Sequence, residues 1–289
     1  MVNIIELLAQ GLALGSYIAI AAIGFTLIYA IADMINFAYG EYMTLGAFIG
    51  LFLSQSGLGV VASLIITIPM TAVLGYALAR VFFTPLQESG PIPLLLTSIG
   101  LGFILQNTFA IVWGNETRVF RGLQGRYDVL GGSIYFDQLF VIAMAVMTLA
   151  AVHLLLHRTD IGLAMRATSD AENLASISGI NPFRIRRHVW LIASGLAGLA
   201  GLLLGIQSTI NPYTGFSVIL IVIAAAILGG AGSAYGAMVG AYVVAFTITL
   251  ASAFLPGDLG SFGRAMAFFV LIVALLFRPS GIANVEVEA

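Results

Sequence analysis

The sequence predicts an all-α membrane protein: a polytopic bundle of about eight or nine transmembrane helices, forming one domain over residues 1–289. Apolar residues make up 60% of the chain and charged residues only 8%. A soluble domain carries roughly 25% charged residues, so too little polar surface is present here to cover a water-facing fold. Lipid removes that requirement, because apolar side chains that face acyl chains need no burial.

Long apolar runs mark the individual spans, since a helix needs about 20 apolar residues to cross a bilayer. The predicted spans are Leu7–Ala32, Ile35–Ser54, Val60–Phe83, Pro93–Trp113, Phe136–Leu156, Val189–Ile206 and Phe262–Phe277. The remaining run, Phe216–Leu255, is about twice the length of one span and is interrupted by glycines between Gly229 and Gly236. Two passes that turn at these glycines bring the total to nine; one pass with a re-entrant half-helix gives eight.

The distribution of arginine predicts the orientation, because cytoplasmic loops carry an excess of basic residues. The connection 158–187 holds the densest cluster, formed by Arg158, Arg166, Arg184, Arg186 and Arg187. With this connection in the cytoplasm, Gly114–Tyr135 and the acidic N-terminus lie outside, although that loop carries three arginines of its own. Two passes through Phe216–Leu255 then place Arg278 inside, in agreement with the excess of basic residues on the cytoplasmic side.

Composition also excludes several classes of protein. The chain has no cysteine, and all 11 of its basic residues are arginine. Without lysine there is no Walker A loop and no Schiff-base chemistry, so any ATP hydrolysis must come from another chain. With a net charge of −2 and no basic stripe, the chain is not expected to bind nucleic acid. The first apolar run lacks the profile of a cleaved signal peptide and is expected to be retained as a span.

Polar residues inside two predicted spans are the candidates for a substrate pathway. They are Asn36, Tyr39 and Glu41 in the second span and Thr97, Ser98, Gln106 and Asn107 in the fourth. A carboxylate within a membrane costs about 2.5–3.5 kcal/mol on insertion scales, which makes Glu41 a functional hypothesis. Thr97 and Ser98 lie about two turns before Gln106 and are predicted to share roughly one stripe with it. Interhelical hydrogen bonding without a transport role is the alternative for all seven.

The connection 158–187 is amphiphilic and is predicted to contact another protein. Asp170–Ser178 has the pattern of a short helix that ends at Gly179, with Pro182 just beyond. A short cytoplasmic helix with an apolar face suits docking into a groove of a partner; a helix lying on the lipid surface is the alternative. His153 and His157 share a helix face, but no further ligands complete a metal site, and no cofactor is predicted.

Two segments also resemble each other weakly. Ala38-Tyr39-Gly40 is followed by Gly46-Ala47-Phe48-Ile49, and Ala234-Tyr235-Gly236 is followed by Gly240-Ala241-Tyr242-Val243. Inverted repeats with glycine-broken helices are a recurring architecture of transporters, with the site at the repeat interface. Chance similarity in a chain rich in glycine and alanine is the alternative.

In several segments the chain resembles the permeases of branched-chain amino acid ABC transporters, in particular the shorter permease type. The matching segments are 35–41, 166–181 in part, Ala197–Gly201, Leu228–Gly232 with Gly236-Ala237, and Arg278–Gly281. They run over nearly the whole chain in the expected order. One departure is Tyr39, which stands where the family has His.

The resemblance implies a function and a set of partners. The chain would be the membrane-spanning subunit of an importer in the cytoplasmic membrane of a prokaryote. It would work with two ATP-binding subunits, a second related permease chain and an extracytoplasmic solute-binding protein. The residues implied to couple to an ATPase are Asp170, Glu172, Ala175, Gly179, Ile180, Asn181 and Pro182.

Two other classes of protein are alternatives to this interpretation. A stand-alone secondary transporter or channel would need coupling carboxylates in its spans, and Glu41 is the clear instance. An intramembrane serine protease is disfavoured, because Ile192 replaces the glycine expected before Ser194 and no His lies opposite; the chain is predicted not to be an enzyme. Leucine, isoleucine and valine are the expected substrates, with other amino acids, urea and short amides as alternatives.

Overall fold

The computed structural model describes residues 3–120, 125–129, 132–255, 262–278 and 281–282. In this part of the chain eleven α-helices and one β-hairpin form. The helices are α1 (Ile4–Ala32), α2 (Tyr39–Gln55), α3 (Val60–Leu78), α4 (Pro91–Trp113), α5 (Phe136–Arg158), α6 (Asp160–Asp170), α7 (Glu172–Ile177), α8 (Pro182–Gln207), α9 (Thr214–Gly229), α10 (Ala234–Phe254) and α11 (Gly263–Phe277). The hairpin pairs β1 (Arg126–Val129) with β2 (Gly132–Tyr135).

The prediction of an all-α bundle is confirmed. Six helices are long and apolar enough to cross a membrane: α1, α3 with its continuation to Ser89, α4, α5, α8 and α10. The other apolar helices, α9 and α11, have 16 and 15 residues, and α2 has 17. The continuation of α3 is a π-helical turn, Ala79–Phe83, followed by a 3₁₀ segment, Thr84–Ser89.

The long run after Phe216 is divided at its glycines, as predicted. Helix α9 ends at Gly229, and Gly230 and Gly232 adopt φ of 109° and 96° before α10 begins. The two helices then run antiparallel in close contact: a Cβ on Gly229 would overlap the carbonyl of Gly236, and one on Gly240 would overlap that of Ala225. The glycines therefore provide both the turn and the room for close helix packing.

Helix α2 lies at the centre of the bundle, and every residue from Tyr39 to Leu51 is buried. Its neighbours approach through glycine. A Cβ on Gly46 would overlap the backbone of Gly198 in α8, and one on Gly201 would overlap the Met43 carbonyl. Without a hydrophobic driving force in lipid, such backbone contacts between small residues are a main source of helix association.

The relative directions of α1, α3, α8 and α10 follow from paired contacts. Helix α1 runs antiparallel to α10, since Gly11 faces Phe246 and Gly15 faces Tyr242. Helix α3 runs antiparallel to α8 in the same manner, by the contacts of Thr71 with Gly198 and of Gly75 with Ser194.

One end of the bundle collects the arginines of residues 158–187, and we call it the basic end. Arg278 lies there too, because the amide of Ile282 donates a hydrogen bond to the Leu228 carbonyl (2.9 Å), next to the α9–α10 turn. Tyr235, in the first turn of α10, contacts His153 near the end of α5. This arrangement agrees with the predicted position of Arg278 on the side of the 158–187 connection.

Several features differ from the prediction, among them the start of α8, which lies at Pro182 instead of Val189. The second span was placed from Ile35, but α2 starts at Tyr39 because residues 33–38 form a non-helical break. The predicted helix Asp170–Ser178 is shorter, Glu172–Ile177, and a further helix, α6, precedes it. The β-hairpin in the connection before α5 was not predicted. Arg121, Pro279 and Ser280 lie outside the described residues.

The glycine contacts around α2 make a stability prediction. Gly201→Ala places a methyl group against the Met43 carbonyl, and overpacking of this kind costs roughly 1–3 kcal/mol. We expect a lower thermal midpoint for the purified protein in detergent. Gly100→Ala in α4 is the matched control, because a Cβ there meets open space. Equal midpoints for the two variants would contradict the packing described here.

Candidate functional site

The break between α1 and α2 is held in place by α4. Helix α1 ends at Ala32, and Asp33 takes the left-handed conformation with φ of 47°. The Ser98 hydroxyl accepts a hydrogen bond from the Phe37 amide (3.1 Å) and donates to the Leu95 carbonyl (2.7 Å). A backbone group that leaves a helix within a membrane needs such a partner from a neighbouring helix. Ser98 therefore has a definite role in shaping the break.

The first turn of α2 also contacts α8 and α9. The Tyr39 hydroxyl donates to the Ala193 carbonyl of α8 (3.2 Å). The Thr44 hydroxyl accepts a hydrogen bond from the Gly215 amide (2.9 Å), in the first turn of α9. A Cβ on Gly40 would overlap Gly215, so the two helices cross at their N-terminal turns. Sequence reasoning missed Thr44 and Gly215.

Two of the predicted pathway residues are buried polar groups beside this crossing. Asn36 is 0% exposed and Glu41 is 2% exposed. Oε2 of Glu41 has no hydrogen-bond partner among the residues that the structure describes, and the Asn36 amide has only the buried Tyr42 hydroxyl as a polar neighbour, outside good hydrogen-bond geometry. Because more than 90% of buried polar groups are hydrogen-bonded, each such group needs an explanation. Together they mark the interior around the α1–α2 break as a candidate site.

The predicted polar stripe on α4 is divided between two faces. Ser98 and Gln106 are buried, whereas Thr97 is half-buried and Asn107 is exposed. The Asn107 amide donates to the Phe103 carbonyl of its own helix (2.7 Å). Neighbouring residues on an α-helix point about 100° apart, so one stripe cannot hold both members of each pair. Ser98 and Gln106 share the buried side of α4, whereas Thr97, predicted to lie on the same stripe, is only half-buried.

The predicted coupling residues lie at the basic end, around α7. Asp170 ends α6, and Ala175 is the buried residue of α7. Gly179 has φ of 90°, and the Ile180 amide returns to the Ala175 carbonyl (3.0 Å), which ends the helix in the manner of a glycine cap. Asn181 then caps α8 by accepting from the Arg184 amide (3.3 Å), with Pro182 as its first residue.

Three large apolar side chains of this segment are exposed. Leu174 is 64% exposed, Ile177 is 85% exposed and Phe183 is 68% exposed. Glu172, in the first turn of α7, forms an ion pair with Arg186 of α8. The Arg186 guanidinium also lies 5.6 Å from the centre of the Phe183 ring. These contacts tie α7 to the first turn of α8 while leaving its apolar side chains uncovered. Sequence reasoning missed Arg186 and Phe183.

The two histidines of α5 have neighbours at the same end. The His153 Nδ1 atom lies 2.6 Å from the Tyr235 hydroxyl of α10. The His157 Nδ1 atom lies 3.4 Å from the Arg166 guanidinium of α6. Both rings therefore link helices near the basic end, with polar atoms toward that end.

Comparison with known proteins places the chain among transport permeases. Residues 7–275 match the family described as branched-chain amino acid transport system / permease component. The chain belongs to this family. It is therefore a multi-pass protein of a prokaryotic cytoplasmic membrane and a transport permease.

Individual relatives align with this chain over nearly their full lengths. The permease protein LivH of the high-affinity branched-chain amino acid transport system of Salmonella typhimurium is 31% identical, covering 96% of this chain and 95% of LivH. BraD of Pseudomonas aeruginosa, from a system of the same description, is 32% identical, covering 98% and 97%. The solved structure of PsaBC from Streptococcus pneumoniae in complex with Fab aligns with a TM-score of 0.51 at 12% identity, covering 95% of this chain and 93% of that chain, which shows a shared fold.

The buried amide of Asn36 leads to a prediction. Asn36→Leu replaces a buried group that makes no described hydrogen bond by an apolar side chain of similar size. We expect the free energy of unfolding to change by less than about 1 kcal/mol, because the desolvation cost of the amide is removed while the buried Tyr42 hydroxyl loses a polar neighbour. Thermal melting in detergent measures this. Ser98→Ala is the matched control and should lower the midpoint, since it removes a partner of the Phe37 amide. An Asn36→Leu variant destabilised beyond this limit would show that the amide has a structural partner.

Proposed function

We propose that the chain is the membrane-spanning subunit of an ATP-binding-cassette importer that carries branched-chain amino acids into the cell. The observation that carries the proposal is the apolar surface of Leu174, Ile177 and Phe183 at the basic end, in a chain whose family is one of transport permeases. Large apolar side chains on a short helix outside the membrane suit the groove of a partner protein.

The proposed partner at that surface is an ATP-binding subunit. The chain has no lysine, and therefore no Walker A loop of its own to hydrolyse ATP. Two such subunits, a second related permease chain and an extracytoplasmic solute-binding protein complete the proposed assembly. The family supports this set, and the binding protein would supply most of the selectivity.

The proposed coupling runs from α7 into the bundle through α8. Closure of the ATPase pair would displace α7, and the Glu172–Arg186 ion pair would carry the displacement to α8. Helix α8 packs on α2 through Gly198 and Gly201, and on α3 through Gly198 as well. Backbone contacts of this kind leave little room for independent movement, so a shift of α8 would reach the α1–α2 break.

The proposed pathway follows the interior beside that break. Asn36 and Glu41 offer polar atoms without described hydrogen bonds, and Tyr39, Ser98 and Gln106 lie on the neighbouring buried faces. The N-terminal turns of α2 and α9 meet there. Helix N-termini within a membrane attract anionic groups, and a carboxylate attracts an ammonium group. These features fit a zwitterionic amino acid. Thr97 and Asn107 are less buried, and we propose them only as flanking positions.

We also propose an inverted repeat, in a register different from the one predicted. The break 33–38 precedes α2, and a break of equal length, 208–213, precedes α9. The pattern Ile-Asn-x-x-x-Gly begins in each break and ends in the first turn of the following helix, at Gly40 and Gly215. Helix α2 runs antiparallel to α9, since Gly40 faces Ile219 and Thr44 faces Gly215. The repeat would therefore relate α1–α2–α3 to α8–α9–α10, with nine crossings in all.

The docking proposal is tested by Ile177→Arg, which places a charge in the exposed apolar surface. We expect loss of the ATP-binding subunits from a detergent pull-down of the tagged chain, together with loss of leucine uptake. Ser176→Arg adds the same charge on another side of α7 and is the matched control.

The pull-down and the uptake assay together distinguish an ABC permease from a stand-alone transporter. Normal recovery of the ATP-binding subunits with Ile177→Arg would refute the docking surface. Recovery of the chain alone from its own genomic neighbourhood, with intact uptake, would support a stand-alone transporter instead.

A further inference from the structure

A cavity of about 340 Å³ opens at the basic end, between the continuation of α3 and the first turns of α8. Four arginines line it: Arg80, Arg184, Arg186 and Arg187. Tyr76 and Trp190 form part of its wall. No carboxylate lines this cavity among the described residues, so its charge is strongly positive.

Three of these arginines carry uncompensated charge. Arg186 is paired with Glu172. Within the described residues, Arg80, Arg184 and Arg187 have no ion pair, and their side chains are exposed. Like charges gathered at one concave site repel each other unless an anion binds between them. A phosphate group is the anion that guanidinium groups recognise best, because both present matching sets of donors and acceptors.

The local fold builds this cavity rather than leaving it to mobile side chains. Arg80 lies in the π-helical turn Ala79–Phe83, where the Thr84 amide reaches back to the Ala79 carbonyl. Such wide turns are rare and are frequent at functional sites. Phe83 stacks on Trp190, with ring centres 5.2 Å apart and planes 9° apart. This stack joins the continuation of α3 to α8 beneath the arginines.

The surroundings identify the source of the phosphate. Tyr76 and Val73 precede Arg80 by four and seven residues, which places them on the same side of α3 toward the membrane. Val73 is 60% exposed, in a helix that is apolar and long enough to cross the bilayer. The cavity thus has arginines at the cytoplasmic boundary and an uncovered apolar helix face leading away from them. A phospholipid presents both parts, whereas free phosphate presents only one.

We propose that this cavity binds the phosphate headgroup of an anionic phospholipid, with an acyl chain along the Val73 face of α3. Basic pockets between membrane helices on the cytoplasmic side are suited to such headgroups. The bound lipid would lie beside Arg186 and so beside the attachment of α7. The proposal concerns lipid binding alone and does not depend on the proposed transport function.

The test is native mass spectrometry of the purified full chain, with phosphatidylglycerol, phosphatidylcholine or inorganic phosphate added. We expect one phosphatidylglycerol to be retained, with neither of the other two competing for it. Each arginine near an anionic lipid surface contributes about fivefold in affinity. The double variant Arg80→Gln/Arg187→Gln should therefore bind phosphatidylglycerol roughly 30-fold more weakly.

Controls distinguish the cavity from general attraction to basic surfaces. Arg158→Gln removes an exposed charge at the same end and outside the cavity, and should change binding less than twofold. Arg80→Lys/Arg187→Lys keeps the charge and should retain most of the binding. The melting midpoint of each variant shows that it is folded.

Four results would overturn the proposal. Unchanged phosphatidylglycerol binding by the double glutamine variant would place the lipid elsewhere. Equal retention of phosphatidylcholine would show that the cavity does not recognise the charge of the headgroup. Displacement of the lipid by millimolar inorganic phosphate would show that the cavity binds a free anion. Loss of ATP-binding subunits from the double variant, with lipid binding intact, would make the arginines a protein contact instead.

Discussion

The crossing of α2 and α9 at Gly40 and Gly215 is the contact on which the remainder of the bundle depends. Each glycine lies in the first turn of its helix, and a side chain on either would overlap the other backbone. In lipid, where apolar side chains gain nothing by leaving the solvent, such close backbone packing drives association. The crossing brings two helix N-termini into the interior and requires a non-helical break before each of them.

Those breaks expose backbone groups that water would satisfy in a soluble protein. Here side chains do so: Ser98 for the Phe37 amide, and Thr44 for the Gly215 amide. The same opening leaves room for polar side chains deep in the bundle, which explains how Asn36 and Glu41 come to be buried beside it. The breaks and the proposed pathway therefore depend on the same feature: side chains replace the helical hydrogen-bond partners of the backbone.

Much of the fold could be predicted from apolar runs and glycines. The break at Gly229–Gly236 was located because lipid-spanning helices have a limited length. The predicted start of α2 is four residues too early, because Ile35, Phe37 and Ala38 continue the apolar run and cannot be told from a helix without their contacts. The Glu172–Arg186 pair joins residues from two helices, and neither residue indicates its partner by spacing alone. The pairing of α2 with α9 could not be predicted, because it depends on the relative direction of the two helices. Only tertiary contacts define that direction.

We propose that this chain carries amino acids only when other chains hydrolyse ATP. The most direct measurement is leucine uptake into liposomes that contain this chain, with and without the ATP-binding subunits, the second permease and the binding protein. We predict uptake that needs ATP and every partner, and none by the chain alone. Uptake by the chain alone, driven by an ion gradient, would contradict the account.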